Sequence, residues 1–135
     1  MPGFVKILLV DDNADVRDLL TFILKDSGFL VITADDGLRG LKTAEAERPD
    51  LIITDICMPH LDGIQMIARL REEAEFSKLP ILVISAYGSG DLAAALRAGA
   101  NLAMPKPVDF DCLIGHVKQL LPGESLDNSH LLTYT

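Results

Sequence analysis

Residues 7–12 read ILLVDD, and this stretch decides the fold together with LIITD at 51–55 and ILVIS at 81–85. Each is a continuous apolar run that ends on an acidic or hydroxyl side chain. A fourth, shorter run, LAM at 102–104, leads through a proline to Lys106. Such runs are typical of strands that are buried on both faces of a parallel sheet. Because ligands bind beyond the carboxyl ends of the strands in these sheets, the polar residues are expected to converge at one edge.

The length and composition predict one domain with an aliphatic core. The chain has 135 residues, of which 49% are hydrophobic, and it contains no Trp. Its mean hydropathy is +0.28. One domain is the default at this length. We predict a folded domain over residues 1–122 and a polar tail or linker stub over residues 123–135.

The charge and the cysteines exclude several classes of function. The net charge is −8 and no Lys/Arg run occurs, which argues against direct binding of nucleic acid. Cys57 and Cys112 have no metal-ligand spacing, so two free thiols in a reducing, cytoplasmic environment are expected. No signal peptide and no apolar run long enough to span a membrane are recognised.

Strand and helix patterns alternate five times along the chain. The predicted strands are Val5–Val10, Leu30–Ala34, Leu51–Thr54, Pro80–Ile84 and Leu102–Met104. The predicted helices run from the cap Asn13 to Gly28, over Leu38–Glu47, Ile64–Arg71 and Asp91–Ala98, and from the cap Asp109 to Pro122-Gly123. This alternation predicts an α/β fold with a doubly wound, five-stranded parallel sheet of flavodoxin-like (βα)5 type. In the strand order 2-1-3-4-5, strands one and three are neighbours at the topological switch point.

The polar strand ends form a set with a specific chemistry. Taken singly, an Asp or Ser after a strand is more often a helix cap, and a Lys before Pro is usually solvated. Together, carboxylates on Asp11, Asp12 and Asp55 repel one another and favour a cation such as Mg²⁺, which prefers oxygen ligands. Asp55 is then placed to attack phosphorus as a nucleophile. Lys106 would neutralise one phosphoryl oxygen, and Ser85 would donate a hydrogen bond to another.

From Val5 to Leu121 the chain resembles the receiver domain of two-component response regulators, the CheY-like family. The motifs that carry the resemblance are LVDD at 9–12, DICMP at 55–59 with DG at 62–63, ISA at 84–86, RAGA at 97–100 and KP at 106–107. The resemblance implies that Asp55 is the phosphoacceptor and that Ser85 and Lys106 bind the phosphoryl group. It also implies a Mg²⁺ site formed by Asp11, Asp12, Asp55 and the backbone carbonyl of Cys57, with Asp12 a more direct ligand than Asp11. A cis peptide between Lys106 and Pro107 is expected.

The resemblance also implies partners and a mode of action. A histidine kinase or a histidine phosphotransfer protein would donate the phosphoryl group to Asp55. Phosphorylation would then alter binding of a downstream output domain or protein at the face of helix four, strand five and helix five. Such a domain catalyses only its own phosphorylation and dephosphorylation, so it is not an enzyme acting on other substrates. No contact with nucleic acid or a membrane is implied.

Position 103 departs from the family pattern. Family members usually carry Tyr or Phe three residues before the Lys, whereas this chain has Ala103. We therefore expect the signal to travel through the loop from Ala86 to Gly90, with Tyr87 as a candidate participant. Pro105 cannot donate to a ladder, which predicts that strand five ends there or lies at an edge.

Alternative functions are weighed against this interpretation. Ala103 favours a receiver-like module that binds partners without phosphorylation, whereas the complete acidic and basic set argues against it. A Mg²⁺-dependent phosphatase acting on external substrates would carry a second acid two residues after Asp55, where Cys57 stands. The glycine-rich motif at 88–93 matches a dinucleotide fingerprint, but too few elements follow it. His60, His116 and His130 share no ligand spacing and are expected at the surface.

Overall fold

The computed structural model describes residues 4–86 and 91–121. The strands are β1 (Lys6–Val10), β2 (Leu30–Ala34), β3 (Leu51–Asp55), β4 (Ile81–Ala86) and β5 (Leu102–Lys106). The helices are α1 (Ala14–Asp26), α2 (Gly37–Glu47), α3 (Gly63–Glu72), α4 (Asp91–Ala98) and α5 (Phe110–Leu120), with a short 3-10 helix at Ala74–Phe76. Within these residues, none of the helices has the length and apolar character needed to cross a membrane.

The five strands form one parallel sheet in the order β2-β1-β3-β4-β5, which confirms the predicted topology. In the register of the sheet, Val10 lies opposite Thr54, and Asp55 lies opposite Ile84. β5 is an edge strand, as Pro105 predicted, but it continues two residues beyond Met104 to Lys106.

The sheet is covered on both faces because successive strand residues point to opposite sides. In β1, Ile7 and Leu9 pack with α1 and α5, whereas Leu8 and Val10 pack with α2, α3 and α4. The central strands β1, β3 and β4 are buried except at one end of each, which explains why their sequences are nearly uninterrupted apolar runs.

Four helices begin at a residue whose side chain accepts a hydrogen bond from a first-turn amide. These caps are Asn13, Asp36, Asp62 and Asp109. Such a cap typically stabilises a protein by about 1 kcal/mol. Asn13 and Asp109 confirm the predicted caps, and the Asp36 cap places the start of α2 at Gly37, one residue before the predicted Leu38.

Arg71 connects α3 to α4 and β5. Its guanidinium donates to the carbonyl oxygens of Gly99 at 3.0 and 2.9 Å and of Phe76 at 2.6 Å. It also donates to Asn101 Oδ1 at 3.0 Å, and that oxygen accepts from Ile81 N as well. Gly99 has a φ of +127°, and a Cβ there would lie 2.7 Å from Arg71 Cγ. The third residue of the RAGA motif is therefore a glycine, because a side chain at position 99 has neither the backbone conformation nor the space.

Candidate functional site

The carboxyl ends of β1, β3, β4 and β5 bring the predicted site residues to one edge of the sheet. Asp11 and Asp12 directly follow β1, and Asp55 is the last residue of β3. Ser85 lies next to the end of β4, one residue beyond Ile84, the register partner of Asp55. Lys106 ends β5, opposite Ala86. The sheet order thus assembles residues that are far apart in the sequence.

Three carboxylates meet at this edge. One oxygen each from Asp11, Asp12 and Asp55 lies within 4.8 Å of the others. The Asp11 side chain is 4% exposed and that of Asp55 is 11% exposed, whereas Asp12 is exposed. Two acids are therefore held at low exposure beside a third that faces solvent.

Lys106 supplies the positive charge of the site. Its Nζ donates to Asp55 Oδ2 at 2.9 Å and to Asp11 Oδ2 at 3.5 Å. Within residues 4–86 and 91–121, Lys106 is the one side chain that forms a salt bridge with either acid. One ammonium thus faces three carboxylates, and the site retains an excess of negative charge.

Burial and charge shift the pKa values of the two groups that share this ion pair. Burial raises the pKa of Asp11 above its ordinary value, and this outweighs the lowering by the Asn13 amide and by Lys106. Burial alone would lower the pKa of Lys106, but its hydrogen bond and charge interaction with Asp55, and then with Asp11, raise it. Lys106 is therefore protonated at neutral pH, and an added cation would offset the cost of burying the charged Asp11 carboxylate.

Backbone amides hold the two least exposed carboxylates in place. Asp11 Oδ1 accepts from Asn13 N at 2.8 Å, and Asp55 Oδ1 accepts from Ile56 N at 2.6 Å. In each case the other oxygen, Oδ2, contacts Lys106. The two carboxylates are therefore oriented before any ligand arrives.

Two further residues, which the sequence analysis did not identify, support the site. Arg17 in α1 donates to the carbonyl oxygen of Asp11 at 2.8 Å, and Thr54 Oγ1 donates to that of Asp55 at 2.7 Å. Arg17 lies one helical turn after the cap Asn13, so it lies near the end of β1. In the sequence, the signal that points to Arg17 is a basic residue that follows the acidic pair Asp11-Asp12 within the first turns of α1.

The segment 56–62 leads from Asp55 into α3. Gly63 N donates to Ile56 O at 2.8 Å, and a Cβ on Gly63 would lie 2.2 Å from Asp55 O. The start of α3 therefore rests on the backbone of Asp55 itself. Cys57, the predicted carbonyl ligand, is exposed in this segment.

Four predicted features remain: Ser85, the Lys106-Pro107 peptide, Ala103 and Tyr87. Ser85 is 1% exposed, and its register partner is Pro105, the neighbour of Lys106. The peptide between Lys106 and Pro107 is cis, which confirms that expectation. Ala103 lies opposite Val83 and packs against the core on the α4 side of the sheet. Tyr87, with the rest of the segment 87–90, lies outside the described residues.

The donor set fits a hard divalent cation. The three clustered groups are all carboxylates, with no sulfur or imidazole among them, and Mg²⁺ prefers oxygen ligands. The excess of negative charge and the burial of Asp11 make a cation favourable at this point. The site therefore has the composition and the charge of a magnesium site.

The family comparison agrees with the fold. The family model of the response regulator receiver domain matches residues 7–118. Over 114 residues the chain is 43% identical to an uncharacterized 14.6 kDa protein in the sodA1 3′ region of Leptolyngbya boryana, covering 84% of this chain and 87% of that protein.

A curated regulator and a solved receiver extend the comparison. The chain is 41% identical over 117 residues to the alkaline phosphatase synthesis transcriptional regulatory protein PhoP of Bacillus subtilis, covering 86% of this chain and 48% of PhoP. It therefore spans about half the length of the named regulators that it matches. The receiver domain of sensor histidine kinase PA1611 from Pseudomonas aeruginosa, with a magnesium ion in its active site cleft, superposes with a TM-score of 0.82 at 28% identity, covering 87% of this chain and 98% of that one.

Proposed function

The chain belongs to the response regulator receiver domain family of two-component systems, and on that premise we propose that it is a switch phosphorylated on Asp55. The phosphoryl group would come from a phosphohistidine on a histidine kinase or a histidine phosphotransfer protein. The contacts of Lys106 with both Asp55 and Asp11 are the observation that carries this proposal. They place an ammonium at the oxygen that would attack phosphorus and at a second, buried carboxylate.

The proposed transfer forms one bond and breaks another. An oxygen of Asp55 attacks phosphorus, the P–N bond to the donor imidazole breaks, and the electron pair leaves with the imidazole. The product on this chain is an acyl phosphate. Asp55 Oδ2 is the better candidate for attack, because its partner is the Lys106 side chain, which can move onto a phosphoryl oxygen, whereas Oδ1 accepts from the backbone amide of Ile56.

The side chains around Asp55 supply positioning and charge neutralisation. Lys106, held at 2.9 Å from Asp55 Oδ2, would move its hydrogen bond to a phosphoryl oxygen. The buried Ser85 would donate to another oxygen from the neighbouring strand. Asp11, Asp12, Asp55 and the Cys57 carbonyl would hold Mg²⁺, which neutralises charge on the incoming phosphoryl group when bound.

An apolar groove next to Lys106 supports docking of the phosphodonor protein. Its volume is about 240 Å³, and it lies between α1 and the segment after β5. Its apolar lining residues are Val16, Leu19, Leu20, Pro107, Val108 and Phe110. Leu19 and Phe110 are 48% and 37% exposed. A partner that covers these side chains would bring its phosphohistidine beside the site and exclude water from it.

The output proposed for this switch is altered binding at the face of α4, β5 and α5. Ser85 lies on β4 directly beside β5, and Lys106 is the last residue of β5. Movement of these two side chains onto a phosphoryl group would therefore act on β5 as well as on the segment that follows Ser85, through which the signal is expected to travel. A population shift between two states of this face would change the affinity for an output domain or protein.

Labelling with a small-molecule phosphodonor tests this function. The protein is incubated with acetyl phosphate and Mg²⁺, and the intact mass is measured over time. We expect one added phosphoryl group on the wild type and none on Asp55→Asn, which keeps the fold. Asp26→Asn, an exposed change at the end of α1, is the matched control and should label like the wild type. An unlabelled wild type would favour the phosphorylation-independent binding module, and full labelling of Asp55→Asn would exclude Asp55 as the acceptor.

A further inference from the structure

His60 occupies a strained backbone position in the segment between β3 and α3. Its φ is +69°, a left-handed value that residues with a side chain adopt rarely. The neighbouring Leu61 N donates to Pro59 O at 2.7 Å across it. A three-residue turn closed over a central residue of this φ is a γ-turn, which is rare and strained. Such a turn persists only where the surroundings hold it.

The imidazole of His60 holds this turn against α2. His60 Nδ1 lies 3.0 Å from Asp36 Oδ2. The His60 side chain is 70% exposed, whereas that of Asp36 is 8% exposed. Because an ionised carboxylate only accepts, Nδ1 is the donor in this bond. Asp36 Oδ1 accepts from Arg39 N at 2.8 Å, so the carboxylate is fixed by the start of α2.

A second contact ties the same turn to the same helix end. Gly37 N donates to Leu61 O at 3.0 Å. A Cβ on Gly37 would lie only 2.2 Å from that oxygen, so the two backbones touch. The bond from Gly63 N to Ile56 O fixes the beginning of the segment 56–62 to the start of α3. The contacts of His60 and Leu61 fix its far end to the start of α2.

We propose that His60 is a positioning residue of the phosphorylation site, which fixes the segment 56–62 on Asp36 and thereby places the Cys57 carbonyl for Mg²⁺. The metal part of this inference rests on the proposed function. Cys57 lies between the Ile56–Gly63 bond and the γ-turn, and its side chain is exposed. Since its own side chain does not hold it in the core, the orientation of its carbonyl depends on its neighbours Ile56 and Met58, which pack on the core, and on how the far end of the segment is held.

Three substitutions distinguish the contribution of the imidazole from the contributions of the left-handed backbone conformation and of the helix cap. His60→Gly accepts the left-handed conformation without strain but removes the donor. His60→Asn tolerates that conformation and presents an amide donor at the same distance from the backbone as Nδ1. Asp36→Ser keeps an N-cap for α2 but is too short and uncharged to hold His60. Asp109→Ser, at the cap of α5, is the matched control for the last change.

Two measurements are made on each variant. Amide hydrogen exchange is recorded without Mg²⁺, and the dissociation constant for Mg²⁺ is measured by calorimetry. In His60→Gly and Asp36→Ser we expect faster exchange at Leu61 N and Gly37 N and a dissociation constant raised about fivefold, which is less than the loss typical for direct partners of metal ligands. His60→Asn should stay within about twofold of the wild type, and so should Asp109→Ser.

The outcomes separate this inference from the proposed function. Faster exchange with an unchanged dissociation constant would reduce His60 to a structural residue and overturn the proposal. Unchanged exchange would overturn it as well, and so would an Asn variant as weak as the Gly variant. A wild type that binds no Mg²⁺ or accepts no phosphoryl group would refute the proposed function. The exchange measurement on the metal-free protein would still show whether His60 fixes the turn to Asp36.

Discussion

Lys106 Nζ and Asp55 Oδ2 lie 2.9 Å apart at the rim of the site, with the carboxylate 11% exposed and the lysine 29% exposed. The proposed acceptor is thus ion-paired in the unmodified protein. Any incoming phosphoryl group must displace this bond, and it offers Lys106 an anionic oxygen in exchange. In the proposed function, the same lysine is therefore a partner of the site before the transfer and of the phosphoryl group after it.

Lys106→Met should slow phosphorylation without unfolding the protein. Methionine matches much of the apolar stem but leaves Asp11 and Asp55 without their shared ammonium. We expect labelling by acetyl phosphate to be at least about tenfold slower, since one charge contact in a transition state is worth on the order of 2 kcal/mol. Lys118→Met on the exposed side of α5 is the matched control. Equal labelling rates in the two variants would show that Lys106 has no role in the chemistry.

Asp36→Asn should lower stability at neutral pH but not in acid. The backbone bond from Arg39 N, then the interactions with His60, hold the pKa of Asp36 below its ordinary value of 3.8, although burial opposes this. A carboxylate with a lowered pKa stabilises the folded state above 3.8, and this contribution disappears as the pH falls through the folded pKa. Asn keeps the cap, so we expect a loss of about 0.5 to 1 kcal/mol at pH 7 that disappears as the pH falls through the folded pKa of Asp36.

Urea unfolding at a series of pH values measures the Asp36 effect. Asp109→Asn, which alters the cap of α5 in the same way, provides the comparison. If the stability difference between Asp36→Asn and the wild type stays constant from pH 7 to acidic pH, the lowered pKa of Asp36 is not its cause.

Two glycine-to-alanine changes should shift stability in opposite directions. Gly99 has a φ of +127° and meets Arg71, so Gly99→Ala should destabilise the protein by about 1 to 3 kcal/mol. Gly115 lies inside α5 with no atom within 4 Å of an added Cβ. Gly115→Ala should therefore stabilise the protein by about 0.5 to 1 kcal/mol through helix propensity. The melting temperatures of both variants are compared with that of the wild type. Shifts of the same sign would refute the claim that position 99 requires a glycine.

Leu19→Asp should weaken phosphotransfer from a protein donor but not from a small molecule. The change places a charge in the apolar groove beside Lys106, where a docking partner would have to desolvate it. Leu38→Asp is the control, because Leu38 on α2 is similarly exposed, at 41% against 48%, and does not line this groove. We expect the rate with a phosphohistidine donor protein to fall about tenfold or more in Leu19→Asp. The proposed docking site is wrong if Leu38→Asp impairs the transfer as much, or if acetyl phosphate labelling falls equally.

The strand order and the convergence of the site could be predicted because each depends on local pattern. Leu51–Ile53 is uniformly apolar since β3 is covered on both faces, and this uninterrupted run is typical of a central parallel strand. Once strands one and three are neighbours, Asp11 and Asp55 must meet. The sheet order therefore follows from apolar runs and turn residues that are each visible within a few positions.

The contacts that join distant segments could not be predicted in this way. His60 was expected simply at the surface, and it is exposed, but its bond to Asp36 depends on how α2 and the β3–α3 segment meet. Arg17 binds a carbonyl rather than a charge, so no complementary residue reveals it in the sequence. The buried Phe76 of the 3-10 helix went unpredicted, because three residues are too few to show a period.

The contact of two glycines with carbonyl oxygens limits how such a domain can diversify. Gly37 and Gly63 each leave no room for even a methyl group, with backbone oxygens 2.2 Å from the added carbon. The starts of α2 and α3 are therefore locked to the β3–α3 segment, and a random substitution at either glycine should be among the least tolerated in a library of variants. Sequence variation is left to outward-facing positions on that fixed frame, such as Cys57, whose side chain is exposed.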